Sequence, residues 1–222
     1  MELYHVLNRG VEKRNIFLDN SDRVRFVHNL YAFNDKRAAE NTSRLIAEGP
    51  MFDLRSRTLG KRETLVDIHG WCLMGNHYHL LLSERTEGSI TKFLRKINIG
   101  YAKYFNERYS RVGTLFQGRT KRIHIATQAH FLYILHYIHL NPLDFLVGSK
   151  GWREQNIENT QKAMAHLDKY RWSSYQDYCG RKNFPSILTT SLFRDVFENY
   201  QEELTHYLRD MELQEIKPLT LE

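Results

Sequence analysis

The sequence contains few cysteines and no long apolar run. Its 222 residues include only two cysteines, Cys72 and Cys179, which lie far apart and lack metal-type spacing. They are predicted to be free thiols in a reducing cytosol. No run approaches the roughly 18 apolar residues of a membrane span, and the first residues, MELYHVLNRGVEKR, lack the apolar core of a signal peptide. A cytoplasmic protein without membrane contact is therefore expected.

Acidic residues are scarce in the middle of the chain. The segment 92–122 contains nine basic residues and one acid, Glu107, a net charge of +8, whereas the whole chain carries +6. The segment 194–222 contains eight acids and three bases, a net charge of −5. Aromatic residues interleave with the basic ones in 92–122, which is typical of a surface that follows phosphates and stacks bases. A polyanionic partner is predicted; a merely solvated basic face is the alternative.

The hydrophobic pattern predicts strands and helices in a mixed order. The expected elements are a strand at 3–10, a helix capped by Ser21, a hairpin over 64–82 turning at Gly75 and Asn76, a long helix at 89–110, a short strand at 123–125 and a helix ending at Asn141 before Pro142. This order predicts an α+β fold with an antiparallel sheet. An irregular excursion with a short helix near 43–47 is expected over residues 34–63, and an acidic helix is expected at 192–213.

Two histidines lie one residue apart in "GNHYHLLL". Side chains at positions i and i+2 of a strand point to the same face, so His77 and His79 project together while Tyr78 points away. Two neighbouring neutral imidazoles can share one divalent cation. A half-exposed strand whose polar face happens to carry histidines is the alternative, because this spacing alone is a weak motif.

A helix in "FLYILHYIHLNP" places a phenol and an amide on one face. Tyr137 and Asn141 are four residues apart, which aligns them along the helix. An amide oxygen suits Mg²⁺ or Mn²⁺ better than zinc, and a tyrosine hydroxyl could attack a phosphate. The chemistry of the residues does not choose among tyrosines: Tyr101, Tyr104 and Tyr133 are equally good nucleophiles, and Tyr133 and Tyr137 could also be core residues with a polar tip.

Several separated motifs, in order, resemble the IS200-like Y1 transposases of the HUH superfamily, particularly the REP-associated tyrosine transposases. The motifs are "YHVLNRG" (4–10), "RNIFLDNSDR" (14–23), "CLMGNHYHLLL" (72–82), "YAKYFNERYSRVGTLFQGR" (101–119), "YIHLNPL" (137–143) and "WSSY" (172–175). The resemblance implies a ferredoxin- or RRM-like sheet whose histidine face is covered by the tyrosine helix. It implies Tyr137 as the nucleophile and His77, His79 and Asn141 as ligands of Mg²⁺ or Mn²⁺.

The resemblance also implies an activity and a partner. The chain would cleave and rejoin single-stranded or hairpin DNA through a 5′-phosphotyrosine, and IS200-like relatives imply a homodimer. Candidate DNA contacts are Lys103, Arg108, Arg119, Lys121 and Arg122. The catalytic domain is expected over 1–180, followed by an acidic helical extension at 181–222. A DNA-binding protein without activity and a metal-dependent hydrolase that uses water are the alternative functions.

Overall fold

The computed structural model describes residues 1–37, 62–154 and 157–209, except the side chains of Lys150 and Glu154. The helix predicted near 43–47 and most of the 34–63 excursion lie outside these ranges, as does the end of the predicted 192–213 helix. Within the described ranges, the helices are too short or too polar to cross a membrane.

Four strands form one antiparallel sheet. They are β1 (Leu3–Arg9), β2 (Val66–Leu73), β3 (His77–Glu84) and β4 (Lys121–His124). The spatial order β2-β3-β1-β4 places β3 and β1 in the centre. Helix α1 (Asn20–Ala32) follows β1 and helix α2 (Ser89–Arg108) follows β3. This is the β-α-β-β-α-β order of a ferredoxin-like fold, and the predicted α+β class is confirmed.

Helices α1 and α2 cover one face of the sheet. Alternation along the strands directs Val6, Tyr78 and Leu80 to this face, where they share a buried core with α2 residues such as Phe93 and Ile97. The Tyr78 hydroxyl donates to Asn98 Oδ1 of α2 at 2.7 Å. Tyr78 thus points away from its two histidine neighbours, as predicted.

Helix α3 (Gln128–Leu140) covers the opposite face. Its Ile134 shares a core with Leu3 of β1 and Leu81 of β3. The close approach depends on Gly70 of β2, because a Cβ atom there would lie 3.0 Å from Leu135 Cδ1. The helices therefore cover opposite faces of the sheet: α1 and α2 cover one face, and α3 covers the other. The His77 and His79 side chains belong to the face under α3.

Capping residues determine where the helices begin and end. The Thr127 side chain accepts a hydrogen bond from the His130 amide at 3.2 Å and starts α3. Helix α3 ends at Leu140, one residue before the predicted end, and a 3₁₀ helix, Asn141–Phe145, follows it. The prediction that Ser21 caps α1 is wrong. Asp19 is the cap, since its Oδ1 accepts from the Asp22 amide at 3.0 Å.

The chain after β4 and α3 packs around α3 through short helices. These are α4 (Thr160–Lys169), α5 (Tyr175–Tyr178), α6 (Ser191–Arg194) and α7 (Tyr200–Arg209). The predicted single acidic helix is thus two helices, because the Asn199 side chain accepts from the Glu202 amide at 3.3 Å and begins α7. The Tyr200 hydroxyl lies 2.7 Å from His139 Nδ1, and this hydrogen bond links α7 to α3.

A buried histidine in α1 should make the protein sensitive to mild acid. Burial, assisted by the charge of Arg25, lowers the pKa of His28 to about 4. In the unfolded chain the pKa of His28 is near 6.5. Between about pH 6.5 and pH 4 the unfolded chain therefore binds more protons than the folded chain, and the free energy of unfolding decreases as pH falls through this window. The expected loss from His28 is about 2 kcal/mol at pH 5, measurable by urea denaturation at pH 7.5 and pH 5.

A leucine variant isolates this contribution. Within the described residues, neither ring nitrogen of His28 has a hydrogen-bond partner, so His28→Leu removes no hydrogen bond. The variant should unfold like the wild type at pH 7.5 and show about 2 kcal/mol less acid destabilisation at pH 5. An unchanged acid sensitivity in the variant would show that His28 is not the group that titrates.

Candidate active site

The hairpin that carries the histidines is held at its turn by the segment after β1. The Gly75 carbonyl accepts hydrogen bonds from the amides of Ile16 at 2.9 Å and Phe17 at 3.1 Å. The neighbouring Asn76 carbonyl accepts from the Gly10 amide at 2.8 Å. These bonds fix the turn, and with it the start of β3, where the first residue is His77.

The two imidazoles lie side by side under α3. The ring centroids of His77 and His79 are 4.9 Å apart, with an angle of 79° between the ring planes. Nδ1 of His77 is 2.6 Å from Asn76 Oδ1, and Nδ1 of His79 is 2.9 Å from His5 Nε2 on the neighbouring strand β1. Because Nδ1 of each ring is engaged, Nε2 is the nitrogen through which each histidine would bind a cation.

Helix α3 lays Tyr137 against this histidine cluster. The Tyr137 ring centroid is 5.7 Å from that of His79 and 5.6 Å from that of His5. The competing tyrosines of α2, Tyr101 and Tyr104, are on the other side of the sheet in the core formed with α1. Sequence reasoning left these tyrosines open; the fold separates them from the histidine face.

The predicted third metal ligand, Asn141, is hydrogen-bonded to an arginine. The Asn141 amide nitrogen donates to the Tyr137 carbonyl at 2.8 Å, and its Oδ1 accepts from Arg153 Nη2 at 2.8 Å. Arg153 also forms an ion pair with Asp144. A cation bound to Oδ1 of Asn141 would share that oxygen with a guanidinium, which opposes its positive charge.

The histidine pair meets some of the requirements of a divalent-cation site but does not supply a complete set of ligands. Burial, and then the charges of His77, His5, Arg153 and Arg9, hold the pKa of His79 well below its ordinary value, so its ring is neutral, as a ligand must be. Over the ranges that the structure describes, three or more His, Cys, Asp or Glu side chains do not come together as a metal site. The histidine pair therefore fits a Mg²⁺ or Mn²⁺ ion only if oxygens of substrate, water or Asn141 complete the shell.

Sequence reasoning missed three residues of the site, namely His5, Arg9 and Arg153. Arg9 pairs directly with His77 in the β1–β3 register, and cross-strand partners share a face. In the described chain, the Arg9 guanidinium has no hydrogen-bond partner, and its buried Nε is unsatisfied. The alternation of "YHVLNR" could have placed His5 and Arg9 on one face, but only the strand pairing shows that this face is the histidine face.

The predicted DNA contacts are divided between two surfaces. On β4, Lys121 pairs with Leu7, which also pairs with His79, so Lys121 points to the histidine face. Arg122 pairs with Val6 and points to the opposite face, where its Nη1 donates to Thr91 of α2 at 3.1 Å. Two neighbouring residues of one strand thus serve different surfaces.

The remaining three candidates lie elsewhere. Arg119 is exposed in the turn before β4, and Lys103 is exposed on α2. Arg108, also on α2, forms ion pairs with Asp19 at 2.6 Å and Asp22 at 2.8 Å. A phosphate at Arg108 would have to displace two carboxylates. Lys121 and Arg9 are therefore the basic residues best placed beside the histidine cluster.

A histidine pair on a central strand, faced by a tyrosine from a helix packed on the same sheet face, defines a histidine–tyrosine site on a ferredoxin-like scaffold. Residues 60–141 match the model of the family described as "Transposase IS200 like". The matched range includes both histidines and ends at Asn141. The resemblance to IS200-like transposases that the sequence motifs indicated is thus confirmed over this range.

No curated protein sequence matches the chain. A solved structure of a REP-associated tyrosine transposase bound to a REP hairpin is similar with a TM-score of 0.46 and 14% sequence identity, over 85% of this chain and 84% of that one.

Proposed function

We propose that the protein is a metal-dependent single-stranded DNA transposase that cleaves and rejoins DNA through a 5′-phosphotyrosine intermediate. The supporting observation is the meeting of Tyr137 with the histidine pair: the Tyr137 and His79 rings are 5.7 Å apart although α3 and β3 are separate elements. Among the tyrosines that sequence chemistry left open, Tyr101 and Tyr104 are on the wrong side of the sheet. The family match over 60–141 supports DNA as the substrate.

The proposed step is an in-line displacement. The Tyr137 oxygen forms a bond to the phosphorus as the bond from phosphorus to the 3′ oxygen breaks. The phenol loses its proton and the departing 3′ oxygen gains one. The new phosphotyrosine ester retains the energy of the phosphodiester, so attack by another 3′ hydroxyl can rejoin the strand.

The residues around the nucleophile have separate roles. His77 and His79 would hold the Mg²⁺ or Mn²⁺ ion through their Nε2 atoms. When bound, the ion supplies a Lewis acid for the scissile phosphate. Arg9, next to His77 and without a hydrogen-bond partner in the described residues, would bind a phosphate oxygen of the strand.

The site is closed in this structure. Tyr137 and His79 are fully buried, and the ring of Trp152 lies 5.7 Å from that of Tyr137. DNA can reach the Tyr137 oxygen only if part of this cover moves. We therefore expect cleavage to follow a conformational step triggered by DNA binding.

Detection of a covalent adduct tests the proposed function. A hairpin with a single-stranded flank, labelled on the side that keeps the 5′ phosphate, is incubated with the protein and Mg²⁺ or Mn²⁺ and then denatured. We expect label that migrates with the protein. Binding without cleavage would favour the inactive DNA-binding protein, and metal-dependent cleavage without an adduct would favour the hydrolase that uses water.

The two faces of β4 provide a test of the DNA surface. We expect Lys121→Ala to weaken binding of single-stranded DNA and to reduce the slope of log affinity against log salt by about 0.7, the loss of one phosphate contact. Arg122→Ala is the matched control, since it removes the same charge from the opposite face and should leave the slope unchanged. Fluorescence anisotropy over a salt series measures both. A reduced slope in the Arg122 variant alone would place DNA on the α2 face.

A further inference from the structure

A third imidazole, His5, belongs to the histidine face but has no role in the proposed reaction. It is fully buried on β1, and its ring is nearly parallel to that of His79, with centroids 5.2 Å apart and 17° between the planes. Nε2 of His5 and Nδ1 of His79 are 2.9 Å apart, which is a hydrogen bond. One of these nitrogens must donate and the other must accept.

The direction of that hydrogen bond decides whether His79 can bind a metal. If His5 Nε2 donates, His79 Nδ1 is the acceptor, and the proton of the neutral His79 ring is on Nε2, which then cannot be a ligand. If His79 Nδ1 donates, the lone pair of His79 is on Nε2, the nitrogen away from His5. Only the second arrangement is compatible with metal binding by a neutral His79.

For His77, the hydrogen-bond partner of Nδ1 fixes the position of the proton without ambiguity, because this partner is the side chain of Asn76. The Asn76 amide nitrogen donates to the Lys13 carbonyl at 3.1 Å, which turns its oxygen toward His77. That oxygen can only accept, so His77 Nδ1 at 2.6 Å must carry the proton, and the lone pair is on Nε2. Both histidines would then present Nε2 to one ion.

We infer that His5 is a positioning residue: its Nε2 accepts the proton of His79 Nδ1 and thereby fixes His79 in the tautomer and orientation that bind a divalent cation through Nε2. His5 itself then carries its proton on Nδ1. The inference rests on the proposed function. Hydrogen-bond partners of this kind commonly change metal affinity by about 10- to 100-fold when removed.

Two substitutions separate acceptor chemistry from packing. His5→Leu fills the buried site but offers no acceptor, whereas the amide oxygen of His5→Gln can accept from His79 Nδ1. For the full chain without DNA, we expect His5→Leu to weaken Mn²⁺ binding by about 10- to 100-fold and His5→Gln to bind Mn²⁺ nearly as well as the wild type. Calorimetry with Mn²⁺ measures both.

A second buried histidine controls for the loss of an imidazole from the sheet. His69 of β2 has its Nε2 2.8 Å from Ser83 Oγ, and Ser83 is four residues from His79 along β3, a distance of about 13 Å. His69→Leu should leave the Mn²⁺ affinity unchanged. Equal losses in the His69 and His5 leucine variants would mean that only general stability is affected.

The tautomer itself can be measured in the unmodified protein. Nitrogen-15 NMR of histidine-labelled, metal-free wild type should show His79 protonated on Nδ1 and His5 protonated on Nδ1. A His79 protonated on Nε2, or wild-type Mn²⁺ affinity in His5→Leu, would overturn the inference while leaving the adduct assay unaffected. A wild type that forms no adduct would instead contradict the proposed function, and the NMR tautomer would still decide the role of His5.

Discussion

Tyr137→Phe is expected to bind DNA and Mg²⁺ normally, to cleave no DNA strand and to form no adduct that survives denaturation. The substitution removes one oxygen and keeps the ring that packs against His79, His5 and Trp152. Packing should therefore change little, and a loss of activity reports chemistry rather than unfolding. Mass spectrometry of a wild-type peptide that carries the 5′-phosphate adduct is the decisive measurement.

The neighbouring tyrosine is the matched control. Tyr133 is one turn earlier on α3, is almost as buried as Tyr137, and its ring is 5.7 Å from that of Tyr137. Tyr133→Phe should retain cleavage and the adduct. An adduct on Tyr133, Tyr101 or Tyr104 would show that the nucleophile has been assigned to the wrong residue. Metal-dependent cleavage by Tyr137→Phe at the wild-type rate would favour water as the nucleophile.

Local sequence periodicity predicted the elements that carry the site. Strand alternation placed His77 and His79 on one face and Tyr78 on the other, and Pro142 indicated the end of α3 to within one residue. These features depend on residues a few positions apart, so they can be inferred without knowing the fold. The same local reasoning could not choose among the tyrosines, because that choice depends on which helix covers which sheet face.

The parts that sequence reasoning missed depend on contacts between distant residues. His5 and His79 are 74 positions apart and meet because β1 pairs with β3. Arg153 reaches Asn141 from a 3₁₀ helix in a segment that had no clear periodicity. A pattern that predicts one strand or helix contains no information about its neighbour. The metal-ligand prediction for Asn141 therefore could not include the guanidinium at its oxygen.

A run of charged residues likewise does not show which surfaces those residues occupy in the fold. The +8 segment predicted a nucleic-acid surface, yet the structure divides its candidates between the histidine face at Lys121 and the α2 face at Arg122 and Arg108. Counting charges along the chain cannot reveal that division, because alternate residues of a strand point in opposite directions. Arg9 is outside the charged segment, but the β1–β3 register places it beside His77.

The metal assignment predicts that His77→Ala loses divalent-dependent cleavage. His77 is a better test than His79, because His79 is fully buried and bonded to His5, so His79→Ala would also cost about 1–3 kcal/mol of stability by leaving a buried nitrogen unsatisfied. The hydrogen bond of His77 goes to its neighbour Asn76 in the turn. Partners of metal-bound histidines alone change activity by about 10- to 100-fold, so loss of a ligand should exceed about 100-fold.

Cleavage rates over a series of Mg²⁺ and Mn²⁺ concentrations, together with thermal unfolding, measure the effect of His77→Ala. The control is His124→Ala, which removes an exposed imidazole from β4; this residue pairs with Tyr4 and therefore points to the sheet face opposite His77. His124→Ala should cleave at the wild-type rate. Wild-type cleavage by His77→Ala in Mg²⁺ would refute the metal assignment. If His77→Ala loses cleavage but unfolds like the wild type, and His124→Ala keeps cleavage, the requirement for a divalent ion is assigned to the histidine pair that faces Tyr137.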